Sequence, residues 1–196
     1  MSVSARPEQH FIAAHTMDWN SGLVGGLPRM ASLLPGTYAH PGSDMAATVI
    51  QADPLQNVQE NRCHRTAFSC NVVRGMVLLL ADNGPWAPIH IEFTANGVSS
   101  IGSYAVARWD PNASPVGYTA SLYVRLLGSG PNDWTPACAE QGFTGDVWSP
   151  ANPSFAPFVG CEAGGGDRII AARFDVGHAQ DSSFSPVGIT KLYFYV

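Results

Sequence analysis

The clearest order in this chain is a period of two. Between Tyr118 and Leu126, apolar Tyr118, Ala120, Leu122, Val124 and Leu126 alternate with Thr119, Ser121, Tyr123 and Arg125. Successive side chains on a strand point to opposite faces, so this run predicts a strand with one buried and one outward face. Ile89, Ile91 and Phe93 alternate in the same way with His90 and Glu92. Ile170, Ala172, Phe174 and Val176 face opposite to Arg173 and Asp175. Further strands are predicted at 46–52, 75–81, 101–109, 155–161 and 187–196. The unbroken apolar run 76–81 fits a strand covered on both faces.

Turn chemistry separates these runs: Asp82-Asn83-Gly84-Pro85, Asp110-Pro111-Asn112, Gly128-Ser129-Gly130-Pro131-Asn132 and Gly164-Gly165-Gly166-Asp167. Gly and Asn accept positive φ, and Pro removes a backbone donor, so such clusters end strands. The last cluster precedes a strand rather than opening a helix, which predicts a hairpin turn and not a phosphate cradle. Eight or so short strands without helical periodicity predict an all-β fold, a two-sheet β-sandwich of jelly-roll-like type.

Residues 1–45 follow another pattern, broken by Gly25-Gly26, Pro28, Pro35-Gly36 and Pro41-Gly42. They predict an irregular N-terminal arm with one helical turn around 7–15. Phe11, Trp19, Leu23 and Leu33-Leu34 would pack it on the sandwich or on a neighbour. Residues 46–196 form the sandwich domain. The 130s and 140s are expected to be a long loop that carries Trp134 and Trp148 and is pinned by Cys138.

Composition narrows the setting. The chain has 196 residues, a formal net charge of −5 and only 13% charged residues, with Lys191 its single lysine. That charged fraction is about half the usual share of roughly 25%. Mild acidity and scarce positive charge argue against a nucleic-acid partner, which needs clustered cations. A hydrophobic content of 45% argues against disorder. The apolar runs are too short for a membrane span, which needs ~20 residues. A surface so poorly charged favours association, so a homo-oligomer or a self-assembling surface or matrix structure is one expectation.

The four cysteines fall as Cys63 with Cys70 and Cys138 with Cys161, and neither spacing is that of a zinc ribbon. Two disulfides are expected, with three connectivities open. Local pairing would join Cys63 to Cys70 and Cys138 to Cys161. An even cysteine count and a weakly charged, Gly- and Pro-rich surface point to a secreted or cell-surface protein. Residues 1–30 show no apolar leader core after a basic start, so no signal peptide is visible.

Three segments resemble a β-sandwich module of secreted bacterial proteins of the PEP-CTERM, exosortase-sorted type. They are PIHIEFTANGVSSIG at 88–102, YTASLYV at 118–124, and FAPFVG at 155–160 followed by IIAARF at 169–174 and GITKL at 188–192. The resemblance spans about residues 72–196 and rests on strand patterning. Gly97 stands where that module tends to have Pro. The chain stops at Tyr195-Val196 without a Pro-Glu-Pro, an apolar anchor or a basic tail, as expected of a soluble relative or of one whose anchor was removed. The resemblance implies an extracellular sandwich and implies no particular reaction.

Candidate chemistry is sparse. The sequence has no nucleophile elbow, P-loop, dinucleotide fingerprint, zincin motif or EF-hand loop. His90 and Glu92, two apart on one strand, share a face as a ligand pair would, although a polar solvent face explains them as well. Asp44, Asp175 and Asp181 are candidates for a structural Ca²⁺ held by loop carboxylates. No carboxylate pair declares a glycosidase. Trp86, Trp109, Trp134 and Trp148 lie in or beside predicted loops, where an indole can stack on a sugar or anchor a protein surface. Trp134 and Trp148 lead among these ligand-binding candidates.

The expected function is a non-catalytic extracellular module that binds a glycan or protein surface, or assembles. A host-surface-binding toxin or effector is the alternative, and a glycan-active hydrolase or lyase a further one.

Overall fold

The computed structural model describes residues 2–17, 32–33, 36–39, 46–49, 55–59, 77–81, 88–93, 96–107, 117–143, 156–178 and 187–196. Among these there is no α-helix, and the strands form two antiparallel sheets that pack as a sandwich. The first sheet contains β1 (Val3–Ala5), β2 (His15–Met17), β3 (Ser32–Leu33), β6 (Leu55–Gln59), β7 (Val77–Ala81), β9 (Ser100–Ala107), β12 (Phe158–Ala163), β14 (Val187–Ile189) and β15 (Leu192–Tyr195). The second contains β4 (Gly36–Ala39), β5 (Ala46–Val49), β8 (Ile89–Phe93), β10 (Gly117–Leu126), β11 (Thr135–Phe143) and β13 (Ile169–His178). Its order across the sheet is β11-β10-β13-β8-β5-β4.

The period-2 runs do what the alternation requires, except at the start of β13, where a register shift beside Leu126 skips Ile170 and puts Ile169, not the expected Ile170, in the core. On β10 every apolar position from Tyr118 to Leu126 is buried, and Ile89, Ile91 and Phe93 of β8 join them in one core. The first sheet contributes Ile101, Ala105, Val159, Cys161, Ile189, Leu192 and Phe194 to the same cluster. Burying a side chain such as Ile101 or Phe174 is worth about 1.5–3 kcal/mol each, so the sheets are held face to face by this layer. Tyr118 is large, fully buried and polar at one end. Its hydroxyl crosses the core to donate to the Ala105 carbonyl at 3.1 Å, which satisfies the only group that burial would penalise.

The predicted strand at 187–196 is in fact two strands in line. β14 and β15 both pair with β9, on either side of a break at Thr190 and Lys191. Buried Ser103 of β9 fills the gap, its hydroxyl donating to the Lys191 carbonyl at 3.1 Å and lying 3.5 Å from Thr190 Oγ1. Gly164-Gly165-Gly166-Asp167 is not a hairpin turn, because β12 before it and β13 after it belong to different sheets. It is the arch that carries the chain from one layer to the other, with Gly165 and Gly166 at φ of 65° and 80°.

Within the first 45 residues, β1 adds to the edge of β12, β2 pairs with β15, and β3 and β4 pair with β6 and β5. Glu8–Phe11 forms a 3-10 turn inside the stretch where a helical turn is predicted. That turn seats Phe11, 2% exposed, with its ring stacked on Tyr195 and tilted against Phe158. Trp19, Leu23 and Leu34 lie outside the described residues, as do Trp86, Trp109, Trp148, Asp44, Asp181, Cys63 and Cys70. Among the described residues no helix is long and apolar enough to cross a membrane.

Candidate ligand-binding face

The long loop expected through the 130s and 140s is shorter than that, because β11 occupies Thr135–Phe143. Its sequence hides it: Thr-Pro-Ala-Cys-Ala-Glu-Gln-Gly-Phe has no alternation, as suits the sheet's outermost strand among the described residues. The register contains a second reason. Leu122 pairs with Cys138 but Tyr123 pairs with Pro136, so Ala137 is an extra residue in a β-bulge. One extra residue reverses the inside-outside parity of everything before it. Cys138, opposite inward Leu122, faces the core, whereas the residues before the bulge are turned over. Trp134 therefore emerges on the outer face of the sheet.

The loop from Leu127 to Trp134 fixes that placement. The Gly130 amide donates to Asp133 Oδ2 at 2.9 Å, the Asp133 amide to the Gly130 carbonyl at 3.1 Å, and the Trp134 amide to the Asn132 carbonyl at 3.1 Å. Arg125 then ties the loop to the sheet, its Nη1 donating to the Pro131 carbonyl at 3.0 Å.

The surface beneath the indole is built from outward positions of three strands in register. Tyr123 of β10 lies opposite Arg173 of β13, which lies opposite His90 of β8. One row along, Arg125, Ala171 and Glu92 align in the same way. Ala171 is small, so Arg125 reaches over it and Nη2 meets Glu92 Oε1 at 2.8 Å, covering the alanine completely. The Arg125 and Arg173 guanidinium carbons lie 5.7 and 6.0 Å from the centre of the Trp134 ring. Arg173 also sits 5.1 Å over Tyr123. His90 meets the indole edge-on, centroids 5.0 Å apart. Cation–π contacts of this sort hold an indole flat at roughly 0.5–1 kcal/mol each.

Burial holds the His90 imidazole below its ordinary pKa of 6.5; Glu92 opposes that shift, and the positive charges of Arg125 and Arg173 add to it. His90 is therefore neutral at pH 7, with Nε2 3.6 Å from Glu92 Oε1. The face then carries two guanidinium groups against the carboxylates of Glu92 and Asp175, with Asp133 in the adjoining loop, and its charges nearly cancel. Nε2 of His90 and Nε of Arg173 are shielded from solvent without a hydrogen-bond partner.

Trp134 and Asp175 thus share one face, with Arg173 between them: its guanidinium lies 6.0 Å from the indole centre and Nη2 3.7 Å from Asp175. Asp175 is turned to Arg173 Nη2 at 3.7 Å and accepts from the Val176 amide at 2.9 Å. Among the described residues no group of three metal-ligating side chains occurs. The outward alternation of β8, β10 and β13 marks Tyr123, Arg125 and Arg173 as surface residues. No sequence signal shows that Trp134 would fold back over them, because that depends on the bulge.

Cys138 and Cys161 lie elsewhere, where β11 and β12 face each other across the sandwich. Both are free thiols in this structure, so the disulfide expected of them is not formed. Burial pushes Cys138 up to about 11 against a backbone hydrogen bond from Gly160, and burial with the neighbouring Cys138 pushes Cys161 higher still. Compared with family models, curated proteins and solved structures, the chain matches none.

Proposed function

We propose that this chain is a non-catalytic extracellular binding module that recognises neutral glycan units through the Trp134 face. The observation that carries the reading is the half-buried indole laid over a charge-balanced polar platform. Arg125 and Arg173 rise toward the ring from the sheet, which leaves its other face for an incoming ligand. An aromatic face suits the apolar side of a sugar ring. Guanidinium donors and carboxylate acceptors at its rim suit hydroxyl groups, which both donate and accept. Because the charges nearly cancel, neither an acidic nor a basic ligand gains a large Coulombic advantage there. Low overall charge and the resemblance to secreted PEP-CTERM-type sandwiches support the extracellular placement. In an oxidising compartment Cys138 and Cys161 would pair, joining the two sheets.

A glycan array followed by calorimetry tests the proposal. Aromatic anchors at binding surfaces typically account for about 2 kcal/mol, a loss of roughly 30-fold in affinity on truncation. Trp134→Ala should lose that much with the fold unchanged, and Arg173→Ala should lose several-fold. No binding to any glycan, or binding that ignores Trp134→Ala, would remove the idea.

One observation favours assembly as a second reading. β11 pairs only with β10 among the described residues, and it ends in Phe143, 52% exposed. An open strand edge is a template for another chain. Light scattering across concentrations decides it, and a strict monomer at high concentration excludes it.

A further inference from the structure

A cleft of about 580 Å³ opens where the N-terminal strap meets β9, β11 and β12, and it shares no residue with the Trp134 face. One wall is the N-terminal strap, Ala5, Arg6, Pro7, Glu8 and Gln9. The other is made by Tyr104 of β9, Cys138 and Glu140 of β11, and Ala156, Pro157, Phe158 and Gly160 at the start of β12. The strap is held in place at both ends: the Arg6 amide donates to the Gly160 carbonyl at 2.8 Å, and Tyr195 donates to the His10 carbonyl at 3.0 Å. The cleft is therefore a formed feature of the fold, and its volume lies in the range of small-molecule sites, roughly 300–1,000 Å³.

The chemistry of its lining is one-sided. Arg6 is the only cation there, and it is already engaged, with Nε and Nη2 both 2.7 Å from Glu162 Oε2. Glu8 and Glu140 are the remaining charges, and neither has an ion-pair partner among the described residues. Tyr104 keeps its proton, raised by burial and by its hydrogen bond to Glu8, so it serves as a donor to that carboxylate. The Cys138 thiol is also protonated at neutral pH and adds no charge. Against these stand apolar surfaces, the Phe158 ring with Pro157, Ala156 and Ala5. An anion would meet two uncompensated carboxylates. A wholly apolar ligand would strip water from them without return.

We infer that this cleft binds an organic cation, an ammonium group on an aromatic or apolar body, with the ring against Phe158 and Pro157 and the charge between Glu8 and Glu140. Phenethylamine is the probe. Its neutral analogue 2-phenylethanol and its charge-reversed analogue 3-phenylpropanoate have nearly the same body. Titration followed by amide NMR at pH 7 should show saturable shifts at Arg6, Glu8, Gln9 and Glu140 with the amine alone. The double variant Glu8→Gln, Glu140→Gln keeps an acceptor for Tyr104 and should weaken the amine at least tenfold. Both positions are exposed, so unchanged thermal unfolding will show that the fold is kept. Equal binding of 2-phenylethanol, undiminished binding by the double variant, or no saturable shift with the amine would each overturn the inference.

Discussion

Gly97 offers a sharp test of how the arch between the layers is held. It sits at φ +67° between β8 and β9. A Cβ there would lie within 2.9 Å of the Ile169 carbonyl carbon, with the oxygen nearer still, and 3.2 Å from Ile170 Cγ2. The crowding falls on a bridge that the chain uses twice: the Val98 amide donates to the Ile169 carbonyl at 2.9 Å and the Ile169 amide returns the bond at 2.8 Å. Arg168 reinforces the turn, its Nε and Nη2 donating to the Asn96 and Gly97 carbonyls. Gly97→Ala should cost about 1–2 kcal/mol for the left-handed backbone. Forcing the bridge apart adds about 1 kcal/mol for each of its two hydrogen bonds. Stiffening the unfolded chain returns about 0.4–1 kcal/mol, so the net loss should be near 3 kcal/mol.

Gly165→Ala is the control. Its φ is 65°, but nothing lies within 4 Å of the added carbon, so it bears the backbone strain alone and should lose about 1 kcal/mol. In a domain of this size a loss of 3 kcal/mol lowers the melting temperature by roughly 6–12 °C. Urea denaturation with matched slopes measures both variants. Equal losses at the two positions would refute the argument, because the bridge would then contribute nothing.

Two further outcomes are expected. Oxidation with glutathione disulfide at pH 8.5 should convert the Cys138 and Cys161 thiols to one disulfide, releasing two glutathione thiols and removing about 2 Da; closing a loop of roughly 23 residues should add about 3 kcal/mol by the chain-entropy model. A peptide map in which these two cysteines stay unlinked would count against it. Acid should act through His90: the unfolded imidazole takes its proton near 6.5 while the folded one, held lower by burial, does not. The stability that His90 contributes is thus complete above pH 6.5 and is lost as pH falls through the folded value. His90→Gln should lose less stability than the parent between pH 7.5 and 5, and parallel losses would show that His90 plays no part.

Much of the sandwich was legible because its central strands obey one rule. β8 and β10 alternate without interruption and β13 does so from Ala172 onward, and residues with that pattern can bury one face only as strands. The edges were not legible for reasons equally physical. β11 lies at the margin of its sheet and needs no continuous apolar face, and its bulge at Ala137 destroys the period that would have announced it. The arch at 164–167 has the composition of any tight turn, and composition does not say whether the next strand pairs with the last or crosses to the other layer. β14 and β15 read as one strand because the break at Thr190 is mended by Ser103, nearly 90 residues earlier in the chain. Gly97 read from sequence as one glycine in a polar stretch between two strands. Its positive φ shows why proline, fixed near −65°, has no place in this turn.

The candidate site follows from the same arithmetic. Trp134 was singled out from sequence as an aromatic beside a loop, and Arg125, Arg173, His90 and Glu92 as outward strand positions. Only the extra residue in β11 brings the two sets together. Once together they leave the indole little freedom: Arg125 bonds the loop through Pro131, pairs with Glu92 and supports the ring, so one side chain sets the height and tilt of the platform. A ligand meeting such a surface bears little of the ordering cost that a free loop tryptophan would impose, and preorganisation of this kind raises affinity without adding contact. Removing Arg125 should therefore weaken binding even if no ligand atom touches it.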